Sequence, residues 1–417
     1  MASFGEESFG ASSALCSDLD PNLSRSYPMN TGQALVVFSH LRWNCVYQRP
    51  QQILSRLARN RRVFFIEEPK EESSGIEARW DLSSPVSNVT VMVPRLPAGK
   101  FVPGFGHPKL KRMIRTGLAA AGCTKPIVWT DTPSAVRLLE EAKPAMTVYD
   151  CMDALHGLRE QEEQLLHVAD LVFAGGPSLF RAKRGRHPEV HCVPSSVDVA
   201  HFREGVRTQE EDAVQAKIPY PRFGYFGVID ERMEVDLIRG LAAARPDWQI
   251  VLVGPVVKID PGILPQADNI HYMGQQDYHR LPSFVKGWNV CLMPCAMNEA
   301  TKLLSPVQVL EYMAAGKPIV STPIRDVVEP YGHVVHLADS PEEFLRACKS
   351  ALADSYAQES IRILDGNQIV ANTSWDQTVS FLEAHLHRKL KEKQEVAMPQ
   401  RPEAAVLTSS VAGLSAA

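Results

Sequence analysis

Short, uninterrupted apolar runs alternate along this chain with stretches whose apolar residues recur at helical spacing, and that rhythm restricts the fold more than any other feature. The runs form two series. The first is Ala34–Ser39, Val63–Glu67, Val89–Val93, Ile127–Thr130, Thr147–Asp150, Leu171–Ala174 and Val190–Pro194. The second is Phe223–Val228, Ile250–Gly254, Ile270–Met273, Val290–Pro294, Ile319–Thr322 and Val334–Leu337. Runs without polar alternation suit strands buried on both faces, as in parallel sheets flanked by helices. Helical patterns fall between them at Gln51–Arg59, Leu158–Ala169, Val235–Ala244 and Phe344–Leu352, each with one apolar face. The alternation predicts doubly wound α/β architecture. A polar stretch, Glu204–Lys217, divides the series and reads as a linker (204–217) between two domains, 34–203 and 218–374, that face a central cleft. A last helix is expected within 375–395. Residues 1–33 and 396–417, rich in small residues and without periodicity, read as disordered tails.

Composition narrows the function classes. Across 417 residues, 44 Lys and Arg stand against 48 Asp and Glu, a net charge of −4, which argues against a general nucleic-acid binder. No apolar run approaches the ~20 residues of a membrane helix, and the amino terminus does not read as a secretory signal. The eight cysteines form no C-x-x-C pair. They read as reduced thiols of a cytoplasmic protein.

The segment Ser305–Thr322, SPVQVLEYMAAGKPIVST, carries the strongest local signal. Ser305 suits a helix N-cap, Pro306 the first helical position, and Gln308 the closing position of a capping box. Gly316 is placed to end the helix, with Pro318 beyond it. A helix starting at Ser305 directly after a strand and loop would present free N–H groups to an anion such as a diphosphate. Glu311 lies on the helix face shared with Gln308 and Ala315, where a carboxylate can accept hydrogen bonds from a sugar or ribose diol. On helix grammar alone it is equally a solvated residue.

EYMAAGKPIVST resembles the donor-binding segment of retaining GT-B glycosyltransferases of the family-4 (group 1) type. The resemblance covers most of residues 34–390. It is nearest to a bacterial subgroup with the opening SHLRW…VYQRPQ (Ser39–Trp43, Val46–Gln51). Tyr149–Asp153, Gly175–Leu179, Pro194–Asp198, Gly224–Met233 and Asn298–Thr301 carry the subgroup's further motifs. The resemblance implies two Rossmann-like domains, a nucleotide-sugar donor in the C-terminal one, most of the acceptor in the N-terminal one, and a final helix, Trp375–Lys393, crossing back to the first domain. It implies that Gly227 lets the donor phosphates approach the backbone, that Gly254 lies near the nucleotide, and that Glu311 binds the ribose.

The sequence departs from the family pattern where diphosphate and sugar would be gripped. The first glutamate of the family's pair would stand eight residues before Glu311, where Leu303 is found. The basic residue after the glycine turn falls on Met233, with Arg232 adjacent, and a common lysine is Gln308. Arg232 and Lys302 are therefore the expected cations, with Thr301 beside them in the donor loop; a solvated surface charge is the other reading of each. His40, Arg42, Trp43 and Arg49 follow the first strand, at the edge that lines the cleft, and are expected to contact acceptor or donor. The alternative is that Trp43 packs and Arg49 pairs with Glu67 or Glu68. Asp150 and Asp153 close the fifth strand. Carboxylates there are costly unless solvated or used, and the resemblance gives one of them a catalytic sugar or acceptor contact, against helix capping for Asp153. His156, nearby, is expected on the surface. Lys183, Arg184, Arg186 and His187 form a basic run, either a solvated loop or a contact to an acidic membrane or lipid phosphate.

These readings lead to a glycosyltransferase that moves a sugar from a nucleoside-diphosphate sugar to a sugar or lipid-linked acceptor hydroxyl, with retention. By family likeness it serves cell-surface polysaccharide or glycoconjugate synthesis. The nucleotide sugar is a co-substrate, and no metal is expected, since no D-x-D, H-x-E or Cys/His spacing is seen. The site would be cytoplasmic, with peripheral contact at the inner membrane face. The competing readings are a catalytically inactive nucleotide-sugar-binding subunit, which Leu303 and Gln308 motivate, and a GT-B sugar-nucleotide epimerase.

Overall fold

The computed structural model describes residues 33–397 apart from 73–76, 99–103 and 154–156. His156 and nearly all of both expected tails lie outside the described residues.

The apolar runs assemble into two sheets. The first holds β1 (Leu35–Ser39), β2 (Val63–Glu67), β3 (Lys70–Glu72), β4 (Arg79–Val86), β5 (Val89–Pro97), β6 (Ile127–Thr130), β7 (Met146–Cys151), β8 (Leu171–Ala174) and β9 (Val190–Cys192). Its order is β3-β5-β2-β1-β6-β7-β8-β9, with β4 antiparallel on β5. The second sheet holds β10 (Arg222–Phe226), β11 (Gln249–Val253), β12 (Ile270–Gly274), β13 (Val290–Met293), β14 (Ile319–Ser321) and β15 (His336–Leu337), all parallel, in the order β12-β11-β10-β13-β14-β15. In each sheet the first strand lies between its successor and a strand from later in the chain. The strand order therefore reverses at β1/β6 and at β10/β13, and such reversals open a crevice at the strands' carboxyl ends.

Each sheet is covered on both faces. Val36, Phe38 and Ile66 pack into one cluster of the first sheet, Leu35, Val37 and Phe65 into the other. In the second sheet, Phe226, Val251 and Met293 face one cluster and Phe223, Ile250 and Leu292 the other. The last helix, Trp375–Ala397, returns to the first sheet. Trp375, Val379, Leu382, Leu386 and Leu390 complete the cluster around Leu35 and Phe65.

Three local differences from the sequence reading have physical causes. The polar stretch Glu204–Lys217 is packed rather than loose. It starts inside the helix Val199–Thr208, and Gln215 is buried, donating to the Phe284 carbonyl at 2.8 Å and accepting from the Trp288 indole at 2.7 Å. The antiparallel β4 has no apolar run to announce it, because it is almost wholly exposed and held by pairs such as Arg95–Asp81. Helices Lys109–Ala120, Pro177–Lys183 and Tyr356–Ala371 also form. The first of these buries only Leu110, Ile114 and Leu118.

Candidate functional site

The carboxyl ends of both sheets open onto one cleft between the domains. From the N-terminal side its walls are the segment Val46–Pro50, Met152, Asp153 and Gly175; from the C-terminal side they are Gly227, Arg232, Gly254, Ser305–Gln308 and Glu311.

Glu311 is the most unusual group in this cleft. Its helix runs Gln308–Ala314 and ends as the sequence predicts: Gly316 takes φ +70°, its N–H donates to the Met313 carbonyl, and Lys317 N–H donates to Tyr312. The helix start differs. Ser305 and Pro306 precede it, and no Ser305–Gln308 capping box forms. Leu303 packs against the N-terminal core cluster that holds Phe38, and Val307 against the cluster that holds Leu35. These contacts hold residues 303–307 across the domain boundary, so the helix winds only from Gln308. They also show what stands where the family's first glutamate would be: an apolar side chain seated on the opposite lobe. Glu311 itself is 6% exposed, and no described residue hydrogen-bonds or ion-pairs with its side chain. Burial alone pushes its carboxyl up to about 8.

The backbone around Glu311 leaves donors unused. Gly227 takes φ +144° and Gly254 φ +150°, conformations that favour glycine. A Cβ on Gly254 would sit 1.7 Å from the Gly227 carbonyl oxygen, and one on Gly227 2.8 Å from Gln308 Nε2. A side chain at Gly254 would therefore keep these strand ends from meeting, whereas at Gly227 it is the positive φ that calls for glycine. The Gly227 amide, expected to face a diphosphate, instead donates to the Val253 carbonyl at 2.9 Å. The unused N–H groups belong to the next residue, Val228, and to Val307, Gln308 and Val309 at the helix start, none of which has an acceptor among the described residues.

Charge is distributed unevenly. Arg232 lines the cleft, its guanidinium 2.7 Å from Asp230 Oδ2. Burial opposes its charge, but the Asp230 pair and nearby Asp153 raise its pKa above the ordinary value. Asp153 also lines the cleft, and its carboxylate makes no hydrogen bond to a described residue.

Several expected site residues do other work. Asp150 is 2% exposed and clamped by Arg49, whose Nη2 and Nε lie 2.9 and 3.2 Å from Oδ1 while Nη1 donates to the Val193 carbonyl. The two neutralise each other in the core, so Asp150 offers no free catalytic carboxylate and Arg49, though at the cleft wall, no free cation. Arg42 pairs with Glu67 at 2.9 Å. Trp43 is buried edge-on against Phe65, its N–H donating to Glu67 at 2.9 Å. Thr301 is buried and shapes its loop, accepting from Asn298 N–H at 3.1 Å and donating to the Ala296 carbonyl. Lys302 is exposed, outside the cleft, 3.3 Å from Glu299. In the basic run, Lys183 and Arg186 are each 2.5 Å from Glu162 and Glu163 respectively. His40 sits beside the cleft, held by a residue the sequence reading passed over, Asp131. Ser305 and Pro306 line the cleft without capping the helix.

Among the described residues no three His, Cys, Asp or Glu side chains gather as a metal site, and no helix is long and apolar enough to cross a membrane.

Residues 221–354, the second sheet and its helices, match the model of the family Glycosyl transferases group 1. Over 173 residues the chain is 24% identical to the putative teichuronic acid biosynthesis glycosyltransferase TuaH of Bacillus subtilis (strain 168); the match covers 40% of this chain and 43% of that relative, less than half of its length. In three dimensions 86% of the chain superposes on 99% of the trehalose-6-phosphate chain of E. coli bound with UDP-2-fluoro glucose, with TM-score 0.65 and 12% identity. It superposes equally widely on the sucrose-phosphate synthase of Thermosynechococcus elongatus, with TM-score 0.64 and 17% identity. The fold is GT-B: two Rossmann-like domains with the cleft between them.

Proposed function

We propose that the protein is a glycosyltransferase that moves a sugar from a nucleoside-diphosphate sugar to an acceptor hydroxyl. The observation that carries this reading is Glu311: a buried carboxyl group with no hydrogen-bond or ion-pair partner among the described residues, opening on a cleft beside unused backbone N–H groups and Arg232. Such an arrangement is costly without a ligand. It suits one with a diol and a diphosphate: the ribose hydroxyls donate to Glu311, and the phosphates accept from Val228, Val307 and Gln308 N–H and face Arg232. As the diphosphate leaves, the same donors stabilise the charge that develops on it.

The matched group 1 model supports the donor half of this reading. UDP is the nucleotide named with a structural neighbour, and teichuronic acid synthesis, named with a sequence relative, supports an acceptor within a cell-surface polysaccharide, sugar or lipid-linked. Retention of the anomeric configuration and transfer without a metal complete the proposal. Nuclear magnetic resonance of the product's anomeric proton tests the first, and turnover unchanged by a chelator tests the second.

The test of the function is a thermal-shift screen with UDP-, GDP- and dTDP-sugars. A ligand that binds only the folded protein at 100 times its Kd adds about 2.7 kcal/mol of stability, so one nucleotide should raise Tm clearly. Binding without transfer across a broad acceptor panel would favour the inactive binding subunit, and free epimerised nucleotide sugar would favour the epimerase. No shift with any nucleotide would refute the proposal.

A further inference from the structure

One end of the cleft is closed by aromatic rings from both domains. Tyr47, in the segment between β1 and the helix Arg49–Leu57, and Tyr278, in the loop after β12, both line it. Their rings stack, with centroids 4.9 Å apart and planes at 29°. The other face of Tyr278 is covered by His201, 4.3 Å away and nearly parallel, whose Nε2 lies 3.0 Å from the Tyr278 carbonyl oxygen. Phe202 meets the same ring edge-on. Tyr278 is thus held from behind by the helix Val199–Thr208 and covered in front by Tyr47. A hydrogen bond also ties the two loops together, since Gln275 Nε2 donates to the Cys45 carbonyl at 3.0 Å. The sheet order β12-β11-β10-β13 sets this end two strands away from the β10/β13 reversal, beside which the unused amides and Arg232 stand. Glu311 lies within reach of it: burial raises the pKa of the Tyr278 phenol, and the Glu311 carboxylate adds to the rise.

We propose that Tyr47 is a specificity-determining residue for the base of the donor: stacked on Tyr278, it forms a wall that admits a single-ring pyrimidine beside Glu311 and excludes a two-ring purine. The inference rests on the glycosyltransferase reading and deepens it, because that reading supplies contacts for diphosphate and ribose but nothing that chooses the base. With phosphates on the Val228, Val307 and Gln308 amides and the ribose on Glu311, the base is directed toward β11 and β12, where Pro255 and Gln276 line the cleft ahead of the two rings.

The wall limits size more than it reads hydrogen-bonding pattern. Gln276 is engaged at both ends of its amide, Nε2 donating to the Met273 carbonyl at 2.8 Å and Oε1 accepting from Arg280 at 2.7 Å. Gln275 is spent on the Cys45 carbonyl. Uracil and thymine should therefore both be accepted. A purine's second ring has to displace Tyr47, which separates the stack and the Gln275 bond and so parts the two domains. The nucleotide lies on the C-terminal domain and its selector on the N-terminal one, so the base is selected only while the domains are docked.

The test is calorimetry of wild type, Tyr47→Phe and Tyr47→Ala with UDP, dTDP, GDP and ADP. Wild type should bind UDP and dTDP at least ~10-fold more tightly than GDP and ADP, because overfilling a packed site is costly. Tyr47→Phe should keep that ratio, since the ring makes the wall. Tyr47→Ala should bring the ratio close to unity by admitting the purines, and its binding of UDP shows that it folds. If Tyr47→Ala does not fold, Gln275→Ala, which frees the segment carrying Tyr47 without removing a ring, decides in its place: a lowered ratio supports the wall and an unmoved one overturns it. An unmoved ratio in Tyr47→Ala, whether all four nucleotides gain or lose equally, would make Tyr47 a structural residue and overturn the selector alone. So would a wild type that binds GDP or ADP as tightly as UDP. Failure of wild type to bind any of the four nucleotides would overturn the glycosyltransferase reading and the selector with it.

Discussion

Replacing Glu311 with glutamine is expected to stabilise the ligand-free protein at pH 8 and above while weakening its hold on nucleotide. The two effects have one cause. Glu311 is buried with no partner among the described residues, and burial raises its pKa from the usual 4.5 to about 8. For an acid raised in the folded state, stability is highest below the unfolded pKa and declines as pH climbs toward the folded one, because the unfolded chain ionises freely while the folded one resists. Wild type and the glutamine variant should therefore be similar near pH 4, and the variant should lead by a margin on the order of a few kcal/mol at pH 8. Chemical denaturation at several pH values measures this. Nucleotide binding should respond the other way. A ribose diol donating to a carboxylate favours its ionised form, so wild-type affinity should rise with pH toward 8 and then level. Losing a hydrogen bond to a charged group should cost the variant ~10- to 100-fold in affinity. A variant that binds every nucleotide as wild type does would remove Glu311 from the ribose site.

The second large effect is expected at Asp150. Asp150→Ala strands the Arg49 guanidinium, itself 6% exposed, in the core beneath the cleft. Removing one partner of a buried pair leaves an uncompensated charge and typically costs about 3–5 kcal/mol. Urea unfolding should show that loss. Replacing the pair together, as Arg49→Met with Asp150→Leu, should recover much of it, since the apolar pair carries no desolvation penalty. This pattern separates an architectural pair from a catalytic one. If Asp150→Ala left stability unchanged but abolished transfer, Asp150 would return to the chemistry.

The contrast between these two residues shows what the sequence made legible. The place of Glu311 on a helix bordering the cleft was readable because its context is local: a helix, a glycine cap that the structure reproduces at Gly316, and a motif within a dozen residues. The strands were readable for a related reason, since burial on both faces removes polar alternation. Asp150 could not be assigned from sequence, because its partner Arg49 is 101 positions away and nothing local distinguishes a catalytic carboxylate from a neutralised one. Asp131 was missed likewise. It stands in an unremarkable Thr-Asp-Thr after β6 and acquires meaning only when the reversal of strand order sets it beside β1. The helix Lys109–Ala120 did leave a signal, with Leu110, Ile114 and Leu118 four apart, but three apolar positions make a thin face.

Leu303 and Lys302 illustrate a further limit. A motif aligns residues with roles, whereas the course of the loop decides which side chains reach the cleft. Here the loop turns through Thr301 and seats Leu303 on the opposite lobe, and Lys302 is carried out to solvent beside Glu299. The cation left at the cleft is Arg232, which the sequence offered only as a neighbour of the expected position.

The most direct measurement is a crystal structure of the protein grown with the nucleoside diphosphate that binds best. Ribose hydroxyls within hydrogen-bond distance of Glu311, and phosphates on the Val228 and Val307–Gln308 amides with Arg232 beside them, are the expected result. A nucleotide bound elsewhere, with Glu311 still unpartnered at the cleft floor, would contradict it.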